Sequence, residues 1–358
     1  MKILCIIESL GSGGAERQLV GLARQLKNNE QDVSVLTYEH KDFYISTLKS
    51  SDISYEEVAV GKSFFTRFFC IWRCIHKHKP DWIISFSRAS SIIVCILKPF
   101  IHHSKILVSE RNTTQELTKI ERLKFFLYRF ADYIIPNSYS QSRFIKKHYP
   151  KLVDKCHVIT NFVDTVNFRP NDGVDYILNN ILVVARVSKQ KNVISFISAV
   201  KAIATLYPDV IVDWYGDQSD IAYFDTCKYL IREHNIEKNF VFHRPEKNIS
   251  DIYKKYAVFC LPSYYEGYPN VICEAMSSGN IVLCSDVSDN ATIVEDGVNG
   301  FLFNPNHVGS IVGAFTKLYE LNETEIATMR KRNREKMVAN NSIDSFTNNY
   351  LSLIQSVK

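Results

Sequence analysis

Two carboxylates, Glu266 and Glu274, straddle the turn Gly267-Tyr268-Pro269-Asn270-Val271, which runs into an apolar helical pattern. Backbone N–H groups at a helix start hold phosphate or sugar oxygens, and a carboxylate beside them accepts hydroxyls. Gly267 leaves the backbone free to curl, and Pro269 pre-sets φ for the helix start. Glu274 lies one turn into the helix, where it could bind a vicinal diol. Glu266 taken singly also fits a residue that only balances the helix dipole. Earlier in the chain, Ala185-Arg186-Val-Ser-Lys189-Gln-Lys191-Asn192 joins a strand pattern to a helix pattern. Cations on such a loop suit a diphosphate, with Arg as a fork and Lys as a point charge. A merely solvated basic loop is the plain alternative.

A third cluster follows the first strand: Ser9-Leu-Gly11-Ser-Gly13-Gly14-Ala15-Glu16-Arg17. Glycines there let the backbone approach a ligand, and the helix N-terminus favours an anion. As a dinucleotide fingerprint it is broken, since Gly11-x-Gly13-x-x-Glu16 lacks the third small residue. Glu39 does follow the second strand as a dehydrogenase requires, so that reading survives weakly beside a simple tight turn. The nine cysteines include no Cys-x-x-Cys pair, a usage that fits reduced core thiols. No Asp-x-Asp occurs to hold a metal-bound diphosphate.

The elements that must position these residues alternate. Strand patterns at Ile3–Ile7, Val33–Thr37, Tyr55–Val60, Trp82–Phe86, Lys105–Val108, Tyr133–Ile135 and His157–Ile159 are interleaved with helical patterns at Glu16–Lys27, Phe64–Lys77, Gln115–Phe130 and Ser138–His148. Pro170-Asn-Asp-Gly173 reads as a linker. The alternation then restarts, with strands at Asn180–Ala185, Val210–Tyr215, Phe240–Phe242, Val258–Leu261, Ile281–Ser285 and Phe301–Phe303. Helices fit Val193–Leu206, Ile221–His234, Ile249–Lys255, Val271–Met276, Val308–Tyr319, Glu323–Lys336 and Ser342–Ser356. At 358 residues the chain is long enough for two domains. Two tandem doubly wound α/β domains are expected, with the ligand between them at the carboxyl ends of the strands.

The paired glutamates, with Arg186 and Lys191 ahead of them, resemble glycosyltransferase family 4. The resemblance continues through Gly13-Gly14-Ala15-Glu16-Arg17, Val158-Ile-Thr-Asn161-Phe-Val-Asp164 and Val294-Glu-Asp-Gly297-Val-Asn-Gly300-Phe, and so spans nearly the whole chain. It implies a GT-B fold: Rossmann-like domains over 1–168 (acceptor) and 169–341 (donor), a helix at 342–358 packing back on the first, and an active site in the cleft. It also implies a retaining transfer of a hexosyl or N-acetylhexosaminyl unit from a nucleotide sugar, with uridine the better choice, and no metal or other cofactor. Arg186 and Lys191 would neutralise the diphosphate, and Glu266 with the N–H groups of Gly267 to Val271 would hold the sugar. Glu274 would take the ribose. Arg244 belongs to the loop that seats the base, and Gly13 and Gly14 would face the donor. Tyr268, Pro269 and Asn270 complete the donor set. The loop that carries a histidine in many members reads Ser109-Glu110-Arg111-Asn112 here, so Glu16, Arg88, Glu110, Arg111 and Asn112 are the acceptor candidates.

Charge is unevenly divided. Residues 1–170 carry 25 Lys+Arg against 16 Asp+Glu, and 171–358 carry 18 against 22. Two stretches of the basic half, 62–79 and 119–130, combine aromatics with cations in helical spacing, which suits an anionic membrane surface. A core helix with solvated cations is the alternative for each. The acceptor is then expected to be a lipid-diphosphate-linked saccharide used in surface polysaccharide assembly. No apolar run spans a bilayer, the N-terminus does not read as a signal peptide, and no nucleic-acid module is present. A cytoplasmic protein, peripheral on the membrane, is expected. A nucleotide-sugar epimerase on the same architecture and a non-catalytic sugar-nucleotide or lipid-binding module are the competing readings.

Overall fold

The computed structural model describes residues 1–58, 63–111, 113–114, 116–171 and 177–356. The chain divides into two units, Met1–Phe162 with Ile343–Lys358, and Val163–Ser342. The division falls ahead of the Pro170 turn, whose Asp172 and Gly173 lie outside the described residues, as do Lys62, Asn112 and Gln115 and the last two residues of the expected strand Tyr55–Val60.

The first unit runs β1 (Lys2–Ile7), α1 (Gly14–Asn28), β2 (Asp32–Thr37), α2 (Ile45–Ser50), β3 (Ser54–Glu57), α3 (Phe64–His78), β4 (Trp82–Ser85), α4 (Arg88–Leu97), β5 (Lys105–Glu110), α5 (Lys119–Leu127), β6 (Tyr133–Pro136) and α6 (Tyr139–His148). Its parallel sheet has the order β3-β2-β1-β4-β5-β6. One face buries Leu19, Leu22, Leu26 and Leu48 of α1 and α2 together with Phe346 and Tyr350 of the C-terminal helix. The other buries Ile71, Ile75, Ile93, Val94, Phe125 and Ile145 from α3 to α6. Both faces being covered, the inner strands such as β1 and β4 read as near-continuous apolar runs, whereas the edge strand β3 is Ser-Tyr-Glu-Glu.

The second unit runs β7 (Asn180–Val184), α7 (Val193–Leu206), β8 (Ile211–Tyr215), α8 (Ile221–Glu233), β9 (Phe240–His243), α9 (Ile249–Tyr253), β10 (Val258–Leu261), α10 (Asn270–Ser277), β11 (Ile281–Ser285), α11 (Asn290–Ile293), β12 (Gly300–Phe303), α12 (Val308–Tyr319) and α13 (Glu323–Asn341), before α14 (Ile343–Ser356) returns to the first unit. The sheet order is β12-β11-β10-β7-β8-β9, again parallel. Helix α7 neighbours α8 and α12, and α10 neighbours α9 and α13. Helix starts follow local chemistry. Asn322 and Glu325 form a reciprocal capping box on α13, and Asp220 and Ser138 accept N–H bonds at the starts of α8 and α6.

Two expectations need correction. His157–Ile159 is not a strand. The N–H groups of His157 and Ile159 donate to Ile134 and Pro136, but Pro136 has no N–H with which to return the ladder. The helix Gln115–Phe130 is shorter, beginning at Lys119 behind a Thr118 cap and tightening into a 3-10 turn at Tyr128–Phe130. Helix α4 was not expected; it packs between α3 and α5, and its short apolar run does not by itself tell helix from strand.

Candidate active site

In a doubly wound sheet the crevice opens where the strand order reverses. In the second unit that point lies between β7 and β10, so the loops following those strands meet there. They carry the residues singled out in the sequence. Lys191 Nζ lies 2.5 Å from Glu266 Oε1, with the two side chains only 12 % and 10 % exposed. The loops are also clasped by backbone: Tyr264 N–H donates to the Gln190 carbonyl, and Gln190 Nε2 to that of Tyr265. Arg186 is exposed and makes no ion pair or hydrogen bond among the described residues. Two cations and a carboxylate thus share one loop junction, one cation already paired and the other free.

Glu274, on α10, is buried, and its Oε2 accepts from the Tyr253 hydroxyl at 3.3 Å. Pro269 occupies the cap position of α10 and Asn270 its first turn. Gly267 is not among the glycines with positive φ, so the turn does not rely on a left-handed conformation there. Tyr268 is buried, its hydroxyl accepting from Asn341 Nδ2 at 2.7 Å; it is a strut for the turn. Arg244 is exposed just past β9.

Asn192, after Lys191, has φ +56°, a left-handed conformation that Asn tolerates better than most residues. Its side chain makes no cap bond to α7 and donates instead to the Pro305 carbonyl.

In the first unit the order reverses between β1 and β4. Gly13 caps α1 and Gly14 opens it, both exposed, with the Glu16 carboxylate folded against Gly13 so that a Cβ there would meet Glu16 Oε2 at 2.3 Å. Arg88 opens α4 after β4 and pairs with Glu121 at 3.2 Å. The two remaining acceptor candidates that are described turn inward. Glu110 is buried, taking Lys124 Nζ at 2.7 Å, Gln141 Nε2 at 3.3 Å and the Tyr128 hydroxyl. Its oxygens are thus engaged inside the unit, which removes it from the acceptor set. The Arg111 guanidinium donates to Asn161 at 2.5 Å and lies 4.9 Å over the Phe86 ring. Burial pulls its pKa down, with neighbouring Tyr350 acting the other way. It braces the floor of the loop.

Three features of the donor-side loops escaped the sequence. Ser288 has φ +53°, and its hydroxyl accepts the Glu266 N–H at 3.1 Å. Gly216 approaches β7 so closely that a Cβ would stand 1.9 Å from the Ala185 carbonyl oxygen. Asp213 takes His243 Nε2 at 2.6 Å and the Tyr256 hydroxyl at 2.9 Å, while His243 stacks on Tyr215 with ring centroids 4.3 Å apart. Burial and the Asp213 carboxylate push the Tyr256 phenol well up, so it remains a donor. None of these has a sequence signature, because each depends on strands joined side by side.

Comparison with known proteins accounts for both halves. Residues 12–167 match the family described as "Glycosyltransferase Family 4", and residues 171–337 that described as "Glycosyl transferases group 1". The chain belongs to glycosyltransferase family 4. It is a hexosyltransferase with the GT-B fold. It is 27 % identical, over 100 % of its length and 99 % of the relative's, to "GalNAc-alpha-(1->4)-GalNAc-alpha-(1->3)-diNAcBac-PP-undecaprenol alpha-1,4-N-acetyl-D-galactosaminyltransferase" of Campylobacter jejuni. Over 51 % of its length and 50 % of the relative's it is 30 % identical to the "UDP-Gal:alpha-D-GlcNAc-diphosphoundecaprenol alpha-1,3-galactosyltransferase" of Escherichia coli. Among solved structures, Anabaena Alr3699/HepE in complex with UDP superposes with a TM-score of 0.87 at 20 % identity, each chain covered in full. At that identity the likeness speaks for the fold.

Proposed function

We propose that this family 4 enzyme transfers a hexosyl or N-acetylhexosaminyl unit from a UDP-sugar to a hydroxyl of a lipid-diphosphate-linked saccharide, with retention at the anomeric carbon and without a metal. The observation that carries it is the junction after β7 and β10, where Lys191 pairs with Glu266, Arg186 lies exposed on the same loop as Lys191, and backbone bonds join the two loops. Glycosidic bond cleavage puts negative charge on the leaving diphosphate. Fixed cations lower that barrier, each by about 2–4 kcal/mol when pre-organised. Arg186, free and exposed, meets the incoming diphosphate. Lys191 is held by Glu266 until the donor arrives, and then sits between carboxylate and phosphate. Glu266 accepts sugar hydroxyls, and Glu274 accepts the ribose diol.

The names of the two relatives support the substrate class: one prints a diphosphoundecaprenol acceptor with a UDP-activated sugar, the other a PP-undecaprenol saccharide. The membrane side of the reading rests on α3 and α5. Phe65 is 74 % exposed and Phe69 62 %, with Trp72, Ile120, Leu123 and Phe126 also open to solvent. Phe68, by contrast, packs on the core, and Lys124 is buried against Glu110, so neither is part of the lipid-facing set. No helix of the described residues is long and apolar enough to cross a membrane. Peripheral contact at the cytoplasmic leaflet is part of the proposal.

The test is transfer from a panel of labelled UDP-sugars to undecaprenyl-diphosphate-linked saccharides in EDTA, with NMR of the product anomer. An α-linked product from an α-configured UDP-sugar, formed in EDTA, is expected. Transfer only on adding a divalent ion, inversion, or interconversion of the donor without acceptor overturns the corresponding element of the proposal.

A further inference from the structure

Away from the sugar-handling loops, the first unit brings three metal-ligating side chains of different chemistry to one point. Glu56 comes from the edge strand β3, and Cys74 and His78 from successive turns of α3. One ligand atom of each lies within 4.8 Å of the other two, and His78 Nε2 is 3.0 Å from Glu56 Oε2. Cys74 is buried, while Glu56 and His78 are half-buried, leaving a path from solvent. We propose that Glu56, Cys74 and His78 form a structural binding site for a thiophilic divalent cation, zinc foremost, that staples β3 to the C-terminal end of α3.

The donor set selects the ion. Thiolate, imidazole and carboxylate together suit tetrahedral zinc, with water in the fourth place, and not magnesium or calcium, which take oxygen ligands. Ligand atoms about 2.0–2.3 Å from such an ion stand roughly 3.3–3.6 Å from one another, so the cluster need contract only slightly. The helix supplies two ligands one turn apart on one face, which fixes their separation before any metal arrives. Binding exchanges the Cys74 thiol proton for the metal–sulfur bond, and the proton leaves to solvent. Lys77 Nζ, now 2.8 Å from Glu56 Oε2, swings aside, which its 62 % exposed side chain permits. Spacing alone could not reveal the site, because Glu56 joins the other two only across the fold.

The test uses the full chain without a polyhistidine tag, titrated with Zn²⁺ against a competing chelator and, separately, with Co²⁺. One equivalent is expected to bind, with a thiolate-to-cobalt charge-transfer band in the near ultraviolet. That band should persist in Cys70→Ser and vanish in Cys74→Ser. His78→Ala should weaken affinity at least tenfold, whereas His76→Ala, on the same helix, should not. His78→Ala alters a partly exposed residue, so it keeps the test decisive if Cys74→Ser fails to fold. Absence of saturable one-to-one binding, or a band that survives Cys74→Ser, overturns the site. Glycosyl transfer in EDTA by whichever of Cys74→Ser and His78→Ala keeps the wild-type melting temperature should match that of the wild type; loss of transfer in that folded variant would overturn a purely structural role.

Discussion

Lys191 and Glu266 hold each other in the absence of donor, and that contact decides what a substitution does. Lys191→Met removes the cation proposed for the leaving diphosphate and leaves a nearly buried carboxylate without its partner. Turnover should fall about 10²–10³-fold, the range for losing one pre-organised transition-state contact. Arg186→Ala, whose side chain is exposed and unpaired, should lower kcat without lowering the melting temperature. Glu274→Ala should instead weaken UDP binding in calorimetry more than it slows turnover, since the proposed ribose contact would be the same in ground and transition states. Full activity in both Arg186→Ala and Glu274→Ala would dismiss the assignment. These positions stand out in the sequence because residue type and spacing announce charge chemistry, and the fold does bring Lys191 onto Glu266. Glu110 was misplaced for the complementary reason: a charged residue at a strand end looks open to solvent until α5 and α6 bring Lys124, Tyr128 and Gln141 onto it.

Among elements, the alternation of strands and helices was readable because most strands are short apolar runs and most helices keep one polar face. What was not readable depends on neighbours: α4 is a short apolar run that only its place between α3 and α5 marks as a helix, and His157–Ile159 loses its ladder to the missing N–H of Pro136. The same neighbour-dependence makes element-scale tests specific. Gly21 sits in α1 where a Cβ would come within 2.4 Å of the Phe162 ring and 3.3 Å of Ile343, at the point where α14 docks. Gly21→Ala should therefore destabilise the chain by about 1–3 kcal/mol in urea melts despite the better helix propensity of alanine. Asp132 offers a pH readout. Burial raises its pKa, but the Lys98 hydrogen bond, the Ile106 N–H and the charges of Lys98 and Lys105 outweigh this and hold the carboxyl below its ordinary value. Its stabilisation is complete above the unfolded value near ~3.9 and is lost as pH falls through the native one. Asp132→Asn should cost about 1.5–3 kcal/mol at pH 7, a gap that narrows below about pH 4 as the wild type takes up the same proton.

At the scale of the molecule, the charge imbalance acquires a location. The basic half of the sequence is the half that carries α3 and α5, and the exposed aromatics of those helices are joined by Arg73, Arg122 and Arg129, all exposed. Arg67 and Lys77, which looked equally available in the sequence, are tied to Glu39 and Glu56, so fewer cations face outward than the composition implies. An apolar side chain moved fully from water into the interface contributes about 1.5–3 kcal/mol, and each nearby cation about 1 kcal/mol on an anionic leaflet. Replacing Phe65, Phe69 and Trp72 together by serine should therefore reduce partitioning onto phosphatidylglycerol vesicles by well over tenfold, while transfer to a short soluble acceptor stays at the wild-type rate. Replacing Arg73, Arg122 and Arg129 by glutamine should abolish the salt dependence of binding but leave part of its strength, because the aromatic contribution is not screened. Co-sedimentation across a salt series separates the two contributions, and binding unchanged in both triple variants would show that lipid meets a different part of the molecule.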